Sequence, residues 1–184
     1  MRLFIAVPLP DVACAEIGTI LGRLKNHDWP VRWIRDEGSH LTLKFFGEVT
    51  TDRVDAIVEV LDFATEGMHP ITLRLVGGGI FPPGARQPRV IHLGVDADPG
   101  AELLQDRIER GAERLGFPPE GRPFRPHVTL GRVREGQRLP AGWQSELERI
   151  PEGSAFLIDR VVLFESQLGP SGPTYAVRRE IRLG

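Results

Sequence analysis

The sequence predicts two similar lobes related by a pseudo-twofold axis, each built in the order strand, helix, strand, helix, strand. Three observations lead there. A shift of 87 residues superimposes three separated segments: Arg2–Val7 on Arg89–Gly94, His40–Leu43 on His127–Leu130, and Ile71–Val76 on Ile158–Leu163. Short β-branched and aromatic runs alternate with amphipathic ones. Finally, 21 glycines and 16 prolines punctuate the chain, which fits many turns between short elements. Two copies are too few for a solenoid, so the repeat reads as paired lobes.

In the first copy, residues 2–8 form a strand that ends at Pro8 and Pro10. Asp11 offers an N-cap to a helix over 11–25, with Ile17, Ile20, Leu21 and Leu24 on one face. Residues 40–46 form a strand between Gly38 and Gly47. Thr50-Thr51-Asp52 caps a helix to about 64, with Val54, Ile57, Val58 and Leu61 inward. A third strand, 71–76, is expected to stop at Gly77-Gly78-Gly79. The second copy supplies a strand over 89–95, a helix over 100–115 bearing Leu104, Ile108 and Leu115, a strand over 126–133, a weaker helix near 142–149 and a strand over 156–164. Loops fall at 82–88, 116–126 and 169–173. The repeat halves are therefore about 1–80 and 88–170 in one bilobal unit of 1–184, with a closing strand over 174–182 and a lobe boundary near 78–88.

Charge is nearly balanced, with 23 basic and 25 acidic residues, which excludes a polycation held to nucleic acid by bulk charge. The single cysteine, Cys14, can form no internal disulfide and reads as a packed small residue. No apolar run is long enough for a membrane span, and the N-terminal apolar stretch is too short for a secretory signal. A reducing cytoplasm is the default setting, and a monomer the default state.

The chemistry lies in the matched His-x-Thr pairs. In a strand, residues i and i+2 point to the same side, so His40 and Thr42 project together while Leu41 and Leu43 face the core. His127 and Thr129 repeat the arrangement in front of Val128 and Leu130. A pseudo-twofold relation lets the two strands face each other across a cleft. Two imidazoles and two hydroxyls suit in-line displacement at phosphorus, one histidine accepting a proton and the other donating one. The threonines then bind non-bridging oxygens where charge gathers. A metal site lacks a third ligand at helical or strand spacing. His27, His69 and His92 have no matching partner and read as loop or surface residues, with His92 opposite Ile5 in the repeat.

These residues carry a family resemblance. His40-Leu-Thr-Leu-Lys-Phe-Phe-Gly-Glu48 and Arg125-Pro-His-Val-Thr-Leu-Gly-Arg132 resemble the paired signatures of the two-histidine phosphodiesterases, most of all the RNA 2′,3′-cyclic phosphodiesterase branch, also called LigT-like or 2′-5′ RNA ligase. The opening Met1–Pro10 and the stretch Gly77–Pro82 are similar to that branch as well. The resemblance implies an α+β fold of two pseudo-twofold-related lobes, each an antiparallel sheet with helices on its outer face, around a central groove. It also implies cofactor-free and metal-free opening of a terminal 2′,3′-cyclic phosphate to a 2′-phosphomonoester, and the reverse 2′-5′ joining by a 5′-hydroxyl. Carried over by position, His40 and His127 are catalytic, and Thr42 and Thr129 bind phosphate. In the expected assignment His127 activates water and His40 protonates the leaving 3′ oxygen.

Arg132 matches a phosphate-contacting arginine of the family, yet strict alternation sets it on the face opposite His127. The match requires the strand to bulge or to end before it. Phe45 holds the corresponding place in the first copy and reads as core ahead of a base-stacking platform. Residues 121–138 hold Arg122, Arg125, Arg132, Arg134 and Arg138 against Glu135, and residues 82–94 add Arg86 and Arg89. Arg125, Arg86, Arg89 and Phe45 are therefore candidate RNA contacts beside an RNA end as substrate. Two alternatives stay open: an RNA-binding module without turnover, and a phosphodiesterase of small nucleotide cyclic phosphates.

Overall fold

The computed structural model describes residues 1–35, 38–169 and 172–184. The chain runs β1 (Arg2–Pro8), α1 (Asp11–Lys25), β2 (Val31–Trp33), β3 (His40–Glu48), a 3₁₀ turn (Thr51–Arg53), α2 (Val54–Thr65), β4 (Ile71–Phe81) and β5 (Val90–Ala97). It continues through α3 (Pro99–Arg114), β6 (His127–Val133), α4 (Trp143–Glu148), β7 (Ala155–Ile158), β8 (Arg160–Gly169) and β9 (Gly172–Arg182). Of the loop expected at 169–173, residues 170 and 171 lie outside the described residues.

Two antiparallel sheets form, one in the order β3-β1-β8-β9 and the other β2-β6-β5-β4-β7. Each draws on both repeat halves, because the third strands change places. β4, from the first copy, pairs with β5, and β8, from the second copy, pairs with β1. The expected lobe boundary at 78–88 thus lies between two hydrogen-bonded neighbours of one sheet. The exchange is itself symmetric, since β1–β8 in one sheet corresponds to β5–β4 in the other.

α2 contacts β8 and β9 while α3 contacts β3, and α4 lies against β4. Glu16 and Arg23 of α1 bond to the Ser154 backbone and to carbonyls of Glu146 and Arg149 at α4. Of the expected helix stripes, Ile17, Leu21, Leu24, Ile57, Leu61, Leu104 and Ile108 are buried, while Ile20, Val54, Val58 and Leu115 are half-buried at their margins. The buried ones join Leu3, Ile5, Val7, Ile91, Leu93, Val128 and Leu130 in one apolar cluster. Strand alternation leaves the other face of each sheet free for polar groups. No helix among the described residues is long and apolar enough to cross a membrane.

Several local expectations change. Asp11 begins α1 instead of capping it, and Pro10 takes the cap without a side-chain bond. Thr50–Asp52 enters a 3₁₀ turn, so the α2 cap is Arg53, also without a side-chain bond. The cap that does form is at α3, where Asp98 accepts from Gly100 N at 2.8 Å and from Thr72 N at 2.6 Å. The strand expected over 156–164 splits at Asp159 into β7 and β8, which join different sheets. β4 does not stop at Gly77 but runs on to Phe81. Gly77, at φ +47°, takes up a bulge there, and Gly78 and Gly79 let the ladder resume.

Candidate active site

The two motif strands are built alike. His40 and Thr42 lie half-buried on the face of β3 that turns away from Leu41 and Leu43. His127 and Thr129 do the same on β6, before Val128 and Leu130. β3 and β6 contact each other, and Tyr175, packed on His40, feels the charge of Arg132 on β6, so the two motif faces border one groove. Each imidazole is anchored in the same way: His40 Nδ1 lies 3.0 Å from the Gly38 carbonyl, and His127 Nδ1 lies 2.8 Å from the Arg125 carbonyl. A carbonyl only accepts, so each Nδ1 carries the proton and each neutral ring keeps its lone pair on Nε2. Arg125, expected as an RNA contact, thus acts here through its backbone, and its side chain is exposed.

Both strands also bulge at the same point. Thr42 pairs with Ala6 and Lys44 with Ile5, so Leu43 is the extra residue. Thr129 pairs with His92 and Gly131 with Ile91, so Leu130 is the extra residue. Each bulge resets the alternation. Arg132 therefore emerges exposed on the face of His127, which resolves the alternation problem in favour of the bulge. Phe45 emerges on the face of His40 with 58% of its surface exposed, which corrects its reading as a core residue. The buried Lys44 points the other way, to Glu109 Oε2 at 2.8 Å and the Pro118 carbonyl at 2.9 Å.

The pairing also corrects His92. Thr42 and Thr129 are equivalent, so their partners Ala6 and His92 are equivalent too, and the offset in this strand is 86 rather than 87. His92 consequently faces the groove, not the core side held by Ile5. Its ring stacks on Phe81 at 4.5 Å and leans on His127 at 5.2 Å, and Phe81 meets His127 edge-on at 4.8 Å. His92 Nδ1 is buried without a hydrogen-bond partner among the described residues. Burial first, and the charge on His127 second, push the His92 pKa below its ordinary value.

On the opposite wall, His40 rests against Phe4 at 5.1 Å and Tyr175 at 5.1 Å, with Phe164 at 6.1 Å. Burial lowers the His40 pKa, against the Gly38 carbonyl, which favours the charged ring. Burial also raises the Tyr175 pKa, opposed by the positive charge of Arg132. Tyr175 thus touches His40 on one sheet and feels Arg132 on the other, bridging the two walls. Sequence reasoning missed both Tyr175 and His92. Tyr175 lies outside any motif, whereas the wall position of His92 was readable only from the bulge.

Arg86 and Arg89 are exposed in and beside the β4–β5 connection; the Arg89 backbone bonds to Phe81 and Val133, and neither side chain makes a bond to a described residue. His27 and His69 lie in turns and loops, as expected. Depressions beside α2 and α3, one lined by Phe63, Leu103, Arg107 and Arg110, sit on the outer surface away from both motifs. No cluster of three His, Cys, Asp or Glu side chains fit to hold a metal occurs among the described residues.

Comparison with known proteins agrees with the doubled architecture. A family model described as LigT like phosphoesterase matches twice, over residues 7–92 and 93–175. A protein of Methanothermobacter thermautotrophicus named RNA 2′,3′-cyclic phosphodiesterase is 34% identical over 186 residues, covering 100% of this chain and 99% of its own length. A Thermotoga maritima protein of the same name is 30% identical over 181 residues, covering 98% and 94%. Among solved structures, one from Thermus thermophilus superposes with a TM-score of 0.83 at 26% identity over 100% of this chain and 98% of its own. Escherichia coli LigT complexed with 3′-AMP gives 0.73 at 26% identity over 99% and 97%. The chain belongs to the LigT-like phosphoesterases.

Proposed function

We propose that the protein is an RNA 2′,3′-cyclic phosphodiesterase, the activity for which its relatives are named. One observation carries the reading: two His-x-Thr walls with the same carbonyl anchor and the same bulge, meeting at one groove. In this reading a monomer acts in the cytoplasm on RNA ends, without metal or cofactor.

The terminal cyclic phosphate sits between the walls, its non-bridging oxygens bound by Thr42, Thr129 and Arg132. Burial lowers the His40 pKa and so favours the neutral ring, which suits it to accept the proton of an attacking water on Nε2. His127, as the imidazolium, donates from Nε2 to the 3′ oxygen as the P–O3′ bond breaks and the bond from phosphorus to water oxygen forms. The product is a 2′-phosphomonoester with a free 3′-hydroxyl, and one proton has crossed from His127 to His40 by way of the substrate. This sharing of roles reverses the assignment expected from the sequence, and the burial of His40 is the reason. Attack by a 5′-hydroxyl in place of water gives 2′-5′ joining with the same groups.

The test is turnover of an oligonucleotide ending in 2′,3′-cyclic phosphate, with EDTA present. His40→Ala and His127→Ala are each expected to lose about 10²–10⁴-fold in kcat. Near-wild-type turnover in either variant contradicts the proposal, and loss of wild-type activity in EDTA points to metal chemistry instead.

A further inference from the structure

The cationic wall of the groove does not end at Arg132. The short strand β2, which has no counterpart beside β3 among the described residues of the other sheet, pairs with β6 in the register Val31–Val133, Arg32–Arg132 and Trp33–Gly131. Its apolar residues fix which way it faces. Val31 and Trp33 pack with the core and close over Gly131, where a Cβ would lie 2.5 Å from Val31 Cγ1 and 2.9 Å from Trp33 Cε3. With both neighbours turned inward, alternation sends Arg32 out on the groove side with Arg132. Directly opposed residues of an antiparallel pair have Cβ atoms about 4.5–5.5 Å apart, so the two arginine side chains leave the sheet from neighbouring points on one face.

Both arginines are exposed, and neither forms an ion pair among the described residues. Like charges placed directly opposite destabilise a sheet unless an anion lies against them. The walls are also unequal: at the place equivalent to Arg132 the other sheet presents Phe45, packed on Phe4, whose ring also meets Phe164 and Tyr175. The groove therefore has an aromatic wall and a cationic one, and among the described residues only the cationic wall has a further strand on the outer side of its motif strand.

We propose that Arg32 is a specificity-determining residue that binds the internucleotide phosphate next to the cyclic end, while Arg132 holds the cyclic phosphate itself. The inference rests on the phosphodiesterase reading above. It makes the preferred substrate an RNA chain that leaves the site over the β6–β2 edge, rather than a mononucleotide. Neighbouring strands are about 4.8 Å apart, and two long arginine side chains reach successive phosphates from that spacing.

The experiment compares a trinucleotide ending in 2′,3′-cyclic phosphate with a mononucleoside 2′,3′-cyclic phosphate, for wild type, Arg32→Ala and Arg32→Lys. In Arg32→Ala the ratio of kcat/KM on the trinucleotide to that on the mononucleotide is expected to fall about tenfold, through KM. The slope of log KM for the trinucleotide against log salt is expected to shrink by about 0.7, one phosphate contact on a single strand. Arg32→Lys, which keeps the charge and loses the fork, is expected to recover part of the ratio. An unchanged ratio, whether both substrates suffer equally or neither does, overturns the proposal. Should wild type turn over neither substrate, the phosphodiesterase reading fails on its own. Fluorescence anisotropy with a labelled trinucleotide 2′-phosphate then decides for Arg32: about tenfold weaker binding by Arg32→Ala supports the site, and equal binding overturns it.

Discussion

Replacing Gly79 with alanine would drive a methyl group into the ring of His92. The new Cβ would lie 2.3 Å from Cε1 and 2.7 Å from Nε2. Gly79 does not occupy the left-handed region, so the backbone accepts alanine and the whole penalty is steric. Carbon atoms in contact prefer about 3.5–4.0 Å, so the ring must retreat by more than about 1 Å. Its exits are blocked by Phe81 at 4.5 Å and His127 at 5.2 Å, and the displacement passes to His127. Overpacking of this kind costs about 1–3 kcal/mol. At about 2–4 °C per kcal/mol for a chain of this length, Tm is expected to fall by about 2–12 °C. Turnover is expected to drop about tenfold, because a misplaced imidazole loses alignment before it loses affinity. Thermal melts and kcat for Gly79→Ala, His92→Ala and the double variant give the cycle. Removing the ring removes the clash, so the double variant is expected to be more stable than the sum of the singles by at least about 1 kcal/mol. Wild-type Tm and kcat in Gly79→Ala, or strict additivity, refutes the reasoning.

Lys44→Met takes the cation from Glu109, which keeps only Gln105 Nε2 at 3.3 Å, and the lysine donor from the Pro118 carbonyl; urea denaturation is expected to show a loss of about 3 kcal/mol, largely recovered in Lys44→Met/Glu109→Leu. Phe45→Ala is expected to cost about 1 kcal/mol or less in the same assay, since a core phenylalanine would cost about 3–5 kcal/mol. His40 and His92 resist protonation in the fold, so the unfolded chain binds more protons in acid and stability falls as pH drops below about 6.5. His92→Phe is expected to flatten that decline in denaturation midpoints between about pH 5 and 7. If His40 is the proton acceptor, the acid limb of kcat/KM lies below about pH 6.5, and a limb at or above about pH 7 contradicts the assignment.

The motifs were legible because strand alternation is local: His40, Thr42, His127 and Thr129 share faces whatever the rest of the chain does. Long amphipathic helices were legible for the same reason, with α1 bounded at Asp11 and Lys25 as expected. What depends on pairing was not. The bulges at Leu43 and Leu130 leave no mark in composition, yet they decide that Arg132 and Phe45 reach the groove and that His92 matches Ala6. The exchange of β4 and β8 between sheets is a long-range choice that no window along the chain contains. β2, at three residues, is too short to show a period, although it carries Arg32. The glycine run at 77–79 looked like a stop signal. Its glycines instead serve a bulge, contact with Leu147 and Ile150, and room for the His92 ring.

Two imidazoles must act on one phosphorus for any of this chemistry to run, and a crystal structure with a bound 2′-phosphorylated nucleotide would show whether they do. One phosphoryl group is expected, with Nε2 of His40 and Nε2 of His127 each within about 3 Å of a different oxygen, from opposite sides. A phosphate held by one wall alone, with the other imidazole out of hydrogen-bond reach, would contradict the two-histidine mechanism.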